Sequence, residues 1–92
     1  MRIARRVRIE GRVQGVFFRD WAVETARRLG VTGWVRNRRD GSVEAMAVGE
    51  AEAVERFLDG LRDGSPRSRV DRVEIDEAPV QDFAEFGRAP TA

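Results

Sequence analysis

The 92-residue chain contains no cysteine, histidine, lysine or tyrosine. Without cysteine there is no disulfide framework, no thiolate metal site and no thiol nucleophile. The residue types left for acid, base and nucleophilic roles are carboxylates and hydroxyls. An enzyme built from this set must carry out chemistry that needs little proton transfer from the protein.

Long apolar runs are also absent, and none approaches the roughly 18 residues that a membrane span needs. The basic N-terminus leads into an alternating segment rather than a signal-peptide apolar stretch. No pair of acidic residues has a spacing that demands a metal, and no cofactor motif is present. With 41% hydrophobic and 36% charged residues, the sequence predicts one cytoplasmic, monomeric, cofactor-free domain over residues 1–92.

Charge is distributed unevenly along the chain. Residues 1–39 contain 11 arginines and 3 acidic residues, whereas residues 40–92 contain 6 arginines and 13 acidic residues. A basic half suits binding of nucleic acid or of a small anion. Alternatively, the fold could interleave the two halves, so that their charges cancel and the asymmetry has no functional meaning.

Hydrophobic periodicity predicts four strands and two helices. Apolar residues alternate along the first strand, and positions 54, 57, 58 and 61 repeat at helical spacing in the second helix. Asp40-Gly41 is a strong hairpin signal. Val70 is out of phase with Val73 and Ile75, which indicates a bulge or a late strand start. The predicted strands are 6–13, 33–39, 42–48 and 70–76, and the predicted helices are 19–29 and 50–62.

The resulting order is β-α-β-β-α-β. Right-handed crossovers then give an α+β ferredoxin-like sandwich, an antiparallel sheet with two helices on one face. The tail from Gln81 is weakly patterned: Phe83 and Phe86 are candidates for docking, while Gly87 and Pro90 oppose a long final strand. This fold hosts enzymes, RNA binders and ligand-binding domains, so it does not decide the function.

The first strand–loop–helix segment, residues 11–19, carries the signal for a functional site. A helix N-terminus presents unpaired N–H groups, and Gly15 lets the preceding loop fold its amides around an anion. Arg19 at the helix start adds a charged fork matched to phosphate oxygens. Taken alone, a single arginine among 17 is usually a solvated surface charge.

Two motifs add specificity. The segment Gly11-Arg12-Val13-Gln14-Gly15-Val16-Phe17-Phe18-Arg19 resembles the first signature of the acylphosphatase family. Gly33-Trp34-Val35-Arg36-Asn37, followed by Asp40-Gly41-Ser42-Val43-Glu44 and Gly49, resembles the second with the same spacing. The resemblance covers roughly residues 5–79, and the C-terminal tail departs from the family's usual apolar edge strand.

The resemblance implies hydrolysis of small acyl phosphates, with roles for named residues. Arg19 would bind the phosphoryl group and Asn37 would orient the attacking water, as the two catalytic residues. The phosphate-binding loop would consist of Gln14, Gly15, Val16, Phe17, Phe18 and Arg19, with no metal.

The chemistry agrees with this expectation. The leaving carboxylate, whose conjugate acid has a pKa of ~4, departs as an anion without a general acid. The transition state is loose, so positioning and electrostatics suffice, and a substrate phosphate oxygen is expected to take the proton of the water. We therefore predict selectivity for acyl over alkyl phosphates. Asn37 fits a catalytic role better than a turn role because Asp40-Gly41 already provides the turn.

Two other functions compete with the enzyme. One is an acylphosphatase-like accessory domain that binds an anion within a larger protein. The other is an RNA-binding module, which the absence of aromatic residues from 6–10 and 42–48 opposes. Trp34, Phe17 and Phe18 are expected to form core and site walls. Asp20, Asp40 and Glu44 are expected to be surface or helix-end charges.

Overall fold

The strands and helices follow the predicted order, and one further strand comes after them. The computed structural model describes all residues from Met1 to Ala92. Its strands are β1 (Arg2–Arg12), β2 (Thr32–Asn37), β3 (Val43–Glu50), β4 (Arg69–Glu77) and β5 (Phe86–Arg88), and its helices are α1 (Phe18–Leu29) and α2 (Ala51–Asp63). The largest boundary difference is at β1, which begins at Arg2 rather than at residue 6.

The sheet has the order β4-β1-β3-β2-β5. The interior strand β1 runs antiparallel to both β3 and β4, and β2 runs antiparallel to β3. Both β-α-β crossovers therefore connect strands that are not direct neighbours, as the predicted ferredoxin-like sandwich requires. This part of the fold prediction is confirmed.

A β-bulge interrupts the pairing of β1 with β4 immediately before the loop that leads to α1. Glu10 lies opposite Arg72 and Gly11 lies opposite Val70, so Asp71 is the extra residue. Gly11 has φ 133°, and a Cβ there would lie 2.2 Å from a backbone carbonyl oxygen of β4. Of the two interpretations that the phase of Val70 left open, a bulge or a late strand start, the structure shows the bulge. A bulge bends the strand that contains it, and this one lies just before the loop that leads to α1.

Both helices pack on one face of the sheet. The alternation of β1 and β3 places Val7, Ile9, Val43, Ala45 and Ala47 on that face, in a core cluster of 17 buried residues. The helices contribute Phe18, Ala22, Ala26, Val54, Phe57, Leu58 and Leu61 to the same cluster. These helices, of 12 and 13 residues, do not have the length and apolar character that crossing a bilayer demands.

The opposite face of the sheet carries a buried carboxylate, which corrects the expectation that Glu44 is a surface charge. Its side chain is only 9% exposed and lies 2.6 Å from Arg36, 3.1 Å from Arg38 and 3.8 Å from Arg6. Burial by itself would raise the pKa of Glu44. The hydrogen bonds and charges of Arg36 and Arg38 outweigh that effect, so the pKa lies below its ordinary value.

The C-terminal tail docks through both phenylalanines, as predicted. Phe83 packs on the open face of the sheet, and Phe86 is fully buried among the helices. The chain thus crosses the open face and then adds β5 to the edge, parallel to β2. The sheet is therefore mixed rather than wholly antiparallel as predicted. With Gly87 inside it and Pro90 after it, β5 is only three residues long.

Candidate active site

A cavity of about 270 Å³ lies where the loop after β1, the N-terminus of α1 and the end of β2 meet. Its walls are formed by Val13, Gln14, Gly15, Phe17, Phe18, Arg19, Asp20, Asn37 and Arg88. The structure therefore brings Arg19, Asn37 and most of the predicted loop residues together. The exception is Val16, whose side chain is buried in the core and does not line the cavity.

The loop between β1 and α1 has the backbone geometry of an anion site. Gly15 has φ 72° and Phe17 has φ 60°, whereas Val16 between them has a negative φ. Such alternation turns successive amides toward a common point. No backbone N–H from residue 15 to residue 20 donates a hydrogen bond within the protein. Six donors are therefore available to an anion at the start of α1.

Arg19 is available to an anion as well. Twelve of the 17 arginines form ion pairs with carboxylates. Arg19 forms none, and its guanidinium makes no hydrogen bond within the protein. A cation that lines a cavity and has no internal partner can bind an incoming phosphate without first breaking a contact.

Asn37 ends β2 with an unsatisfied amide. Its Oδ1 is the only buried side-chain polar atom among the cavity-lining residues that has no hydrogen-bond partner. The backbone around it is fixed, because the carbonyl of Asn37 accepts a hydrogen bond from the N–H of Ala92 at 3.0 Å. A buried acceptor without a donor costs free energy.

Gln14 connects the loop to the β2–β3 hairpin. Its Nε2 donates to the backbone carbonyls of Arg38 and Ser42, both at 2.8 Å. These bonds use both hydrogens of the side-chain amide, so none remains for a phosphate oxygen. The side chain of Gln14 therefore positions the loop against the strand that carries Asn37.

The hairpin turn is closed by Asp40, as its sequence predicts. The Asp40 carboxylate accepts hydrogen bonds from the Ser42 hydroxyl at 2.6 Å and the Ser42 N–H at 2.9 Å. These hydrogen bonds, aided by the charges of Arg8 and Arg38, lower the pKa of Asp40. The turn that follows Asn37 is thus held by an ionised side chain.

The three aromatic residues expected as core and site walls differ in position. Phe18 is 1% exposed, lines the cavity and packs 5.3 Å from Trp21. Phe17 also lines the cavity but is 68% exposed, with the Arg67 guanidinium 5.9 Å from its ring. Trp34 lies on the opposite face of the sheet beneath Arg36 and does not line the site.

The sequence did not indicate Arg88 as a cavity residue. Arg88 lies on the edge strand β5, which pairs with β2. It forms a 2.9 Å ion pair with Asp20 of α1. Asp20 was expected only as a helix-end charge, yet it too lines the cavity. No group of three acidic side chains lies close enough to hold a metal ion.

Comparison with known proteins identifies the family. Residues 5–87 match the family model described as Acylphosphatase. A relative named Acylphosphatase from Rhizorhabdus wittichii is 52% identical over 90 residues, covering 98% of this chain and 91% of the relative. The chain therefore belongs to the acylphosphatase family, and the resemblance seen in its two motifs is confirmed.

Solved structures confirm the fold and show a second context for it. An acylphosphatase from Coxiella burnetii superposes with a TM-score of 0.92 at 35% identity, covering 96% of this chain and 93% of that one. HypF from T. kodakarensis superposes with a TM-score of 0.81 at 31% identity. That match covers 97% of this chain but only 12% of HypF. The same fold thus also occurs as a small part of a much larger protein.

Proposed function

We propose that the cavity beside α1 is the site at which this member of the acylphosphatase family hydrolyses acyl phosphates to a carboxylate and inorganic phosphate. One observation carries the proposal: the unpaired Arg19 and the unsatisfied Asn37 line one cavity, and the loop and first turn of α1 beside it contain six backbone amides without a partner in the protein. Each of these groups has a distinct use in phosphoryl transfer.

Arg19 and the amides of residues 15–20 bind the phosphoryl group. The guanidinium supplies a permanent positive charge, and the amides supply fixed dipoles at the positive end of α1. In the loose transition state, negative charge is spread over the three non-bridging phosphoryl oxygens. These preorganised donors stabilise that charge without rearranging during the reaction.

Asn37 orients the attacking water. Rotation of its amide about the last side-chain bond exchanges Oδ1 and Nδ2, so either atom can face the cavity. With Oδ1 accepting a hydrogen bond from water, a lone pair of the water oxygen is free to attack phosphorus. The new P–O bond forms as the bond between phosphorus and the acyl oxygen breaks, and a phosphate oxygen takes the proton from the water.

The leaving group explains why no general acid is needed. The electron pair of the broken bond leaves on a carboxylate, whose conjugate acid has a pKa of ~4. An alkyl phosphate would release an alkoxide instead and would require a proton donor. The one carboxyl group that lines the cavity belongs to Asp20 and is ion-paired with Arg88. Selectivity for acyl over alkyl phosphates follows.

Hydrolysis of benzoyl phosphate tests the proposal, with p-nitrophenyl phosphate as the comparison substrate and EDTA present throughout. We expect rapid cleavage of the acyl phosphate alone. Folded protein that cleaves neither substrate would contradict the proposal.

A second candidate is an anion-binding accessory domain, which the match to 12% of HypF supports. In that role the cavity would bind phosphate without turnover. The same assay, combined with a measurement of phosphate binding, separates the two functions. A cytoplasmic location and a monomeric state complete the proposal, and light scattering during gel filtration tests the latter.

A further inference from the structure

Two arginine ion pairs join the edge strand β5 to α1. Near the C-terminal end of the helix, Arg27 lies 2.6 Å from Glu85 and donates to the carbonyl of Phe86 at 3.0 Å. Near its N-terminal end, Asp20 accepts from Arg88 at 2.9 Å. All four charged side chains are about half or more exposed.

Only the second of these ion pairs lines the catalytic cavity. Phe86 points into the core beneath the helices, so Arg88, two residues later, lies on the same face of the sheet. Arg88 is paired with Val35 of β2, and Asn37 lies two residues further along that strand. Arg27 does not line the cavity.

While Arg88 is paired with Asp20, the cavity has too little free positive charge for a phosphoryl group. A phosphoryl group carries close to two negative charges, and Arg19 is the only unpaired cation among the lining residues. Asp20 adds a carboxylate next to Arg19, which would repel the ligand. An exposed ion pair is weak, so Arg88 can leave Asp20 when a stronger anion arrives.

We propose that Arg88 is a second substrate-binding cation, which exchanges its Asp20 partner for the phosphoryl oxygens of the substrate. Asp20 is then an internal competitor that holds Arg88 at the rim while the cavity is empty. This inference extends the proposed function by adding a residue from β5 to the binding site.

Inorganic phosphate is the probe, and its dissociation constant is measured by calorimetry for the unaltered protein and for five variants. The variants are Arg88→Gln, Arg88→Lys, Asp20→Asn, the double variant Asp20→Asn/Arg88→Gln, and Arg27→Gln. Arg27→Gln is the matched control because it removes the other tie between α1 and β5. Thermal unfolding of each variant verifies that it is folded.

We expect Arg88→Gln to weaken phosphate binding ~10-fold, because it removes the positive charge of the guanidinium. Arg88→Lys should weaken binding less, because lysine keeps the charge but loses the two-pronged geometry of the guanidinium. Asp20→Asn should tighten binding ~3-fold by removing the competitor. Arg27→Gln should stay within ~2-fold of the unaltered protein.

The double variant decides between direct binding and simple neutralisation of Asp20. If Arg88 contacts phosphate, adding Arg88→Gln to Asp20→Asn still weakens binding ~5-fold or more. A change below ~2-fold in that background would overturn the inference, as would an equal loss in Arg27→Gln. So would a lack of phosphate binding by the unaltered protein.

Turnover of benzoyl phosphate is recorded in parallel, so that failure of the inference and failure of the proposed function are distinguishable. Phosphate binding that depends on Arg88, with no turnover in the unaltered protein, supports the inference and contradicts the hydrolytic function. Normal turnover together with phosphate binding that does not depend on Arg88 supports the hydrolytic function and contradicts the inference.

Discussion

The N-terminus of α1 and the N-terminus of α2 both follow a strand of the sheet, yet they differ in the loop, the free amides and the charged side chains around them. Before α1, a loop with two left-handed residues leaves six amides free beside an unpaired Arg19. Before α2, β3 ends at Glu50 and the helix begins at Ala51 with no loop. The Glu50 carboxylate lies there beside the Met1 amino group, and the Ala51 amide donates to the Met1 carbonyl.

This difference indicates that the proposed phosphate site depends on more than a helix N-terminus. Both helices offer the same partial positive charge. Only the first is preceded by a loop that leaves its amides unused and places a cation without a carboxylate partner in a cavity. The predictions below test whether these added features account for the activity.

Removing the cation should have the largest effect. We expect Arg19→Gln to lower kcat/KM for benzoyl phosphate about 10³-fold and to abolish inhibition by phosphate, because the charge acts in both the ground and transition states. Arg56→Gln on α2, where Arg56 pairs with Glu52, is the matched control and should behave like the unaltered protein. Equal losses in both variants would refute a specific role for Arg19.

Removing the amide that we propose orients the water should have the second largest effect. Asn37→Ala is expected to lower kcat about 10²-fold while leaving the inhibition constant of phosphate nearly unchanged, because placement of water matters only in the transition state. Steady-state kinetics with phosphate as a competitive inhibitor provide both values. Near-normal turnover would show that Asn37 does not orient the water.

Loosening the loop should have an intermediate effect. Gln14→Leu removes two hydrogen bonds to the hairpin, so we expect a loss of about 1–2 kcal/mol in the free energy of unfolding. We also expect a fall of about 10-fold in kcat/KM, because the loop is no longer held against the strand of Asn37. Urea unfolding and kinetics measure the two effects. If Gln14→Leu lowered the stability but left kcat/KM unchanged, the hydrogen bonds of Gln14 would not be needed for activity.

The smallest effect on activity is expected from Glu44, on the opposite face of the sheet. Its pKa is lowered on folding, so its stabilisation is present above the unfolded pKa of about 4.3 and is lost as the pH falls through the folded value. Glu44→Gln should therefore unfold about 1–2 kcal/mol more easily at pH 7. Urea unfolding across pH 2–7 should show this difference disappearing in acid.

The features that could be predicted from the sequence are those signalled by residues that lie close together in the chain. The phase of Val70 indicated a bulge or a late strand start, and Asp40-Gly41 indicated the hairpin. Gly15 with Arg19 predicted an anion site, which stays a prediction. Each signal came from residues close in sequence. The family resemblance then supplied the reaction and the partner residue Asn37. Each of these signals could be recognised within a short segment, although the bulge itself forms between the distant strands β1 and β4.

What could not be predicted depends on contacts between distant segments. Arg88 reaches the cavity only because the tail crosses the open face and returns beside β2. Glu44 is buried only because Arg6, Arg36 and Arg38 converge on it from two strands and the hairpin. Hydrophobic periodicity could predict neither placement. It predicts that a charged residue on a strand is exposed, and only its neighbours in the sheet show otherwise.

The order of strands in the sheet also governs how the chain folds. The first strand in the sequence, β1, lies inside the sheet between β4 and β3, with Arg2 opposite Glu50 and Arg5 opposite Glu77. It cannot acquire either partner until distant parts of the chain are synthesised, and such long-range pairing slows folding to milliseconds or longer. During that wait the nascent strand is exposed to other chains. Arg6, Arg8 and Arg12 alternate with the apolar residues of β1. Charges placed in this way are expected to discourage pairing with other chains and thus aggregation.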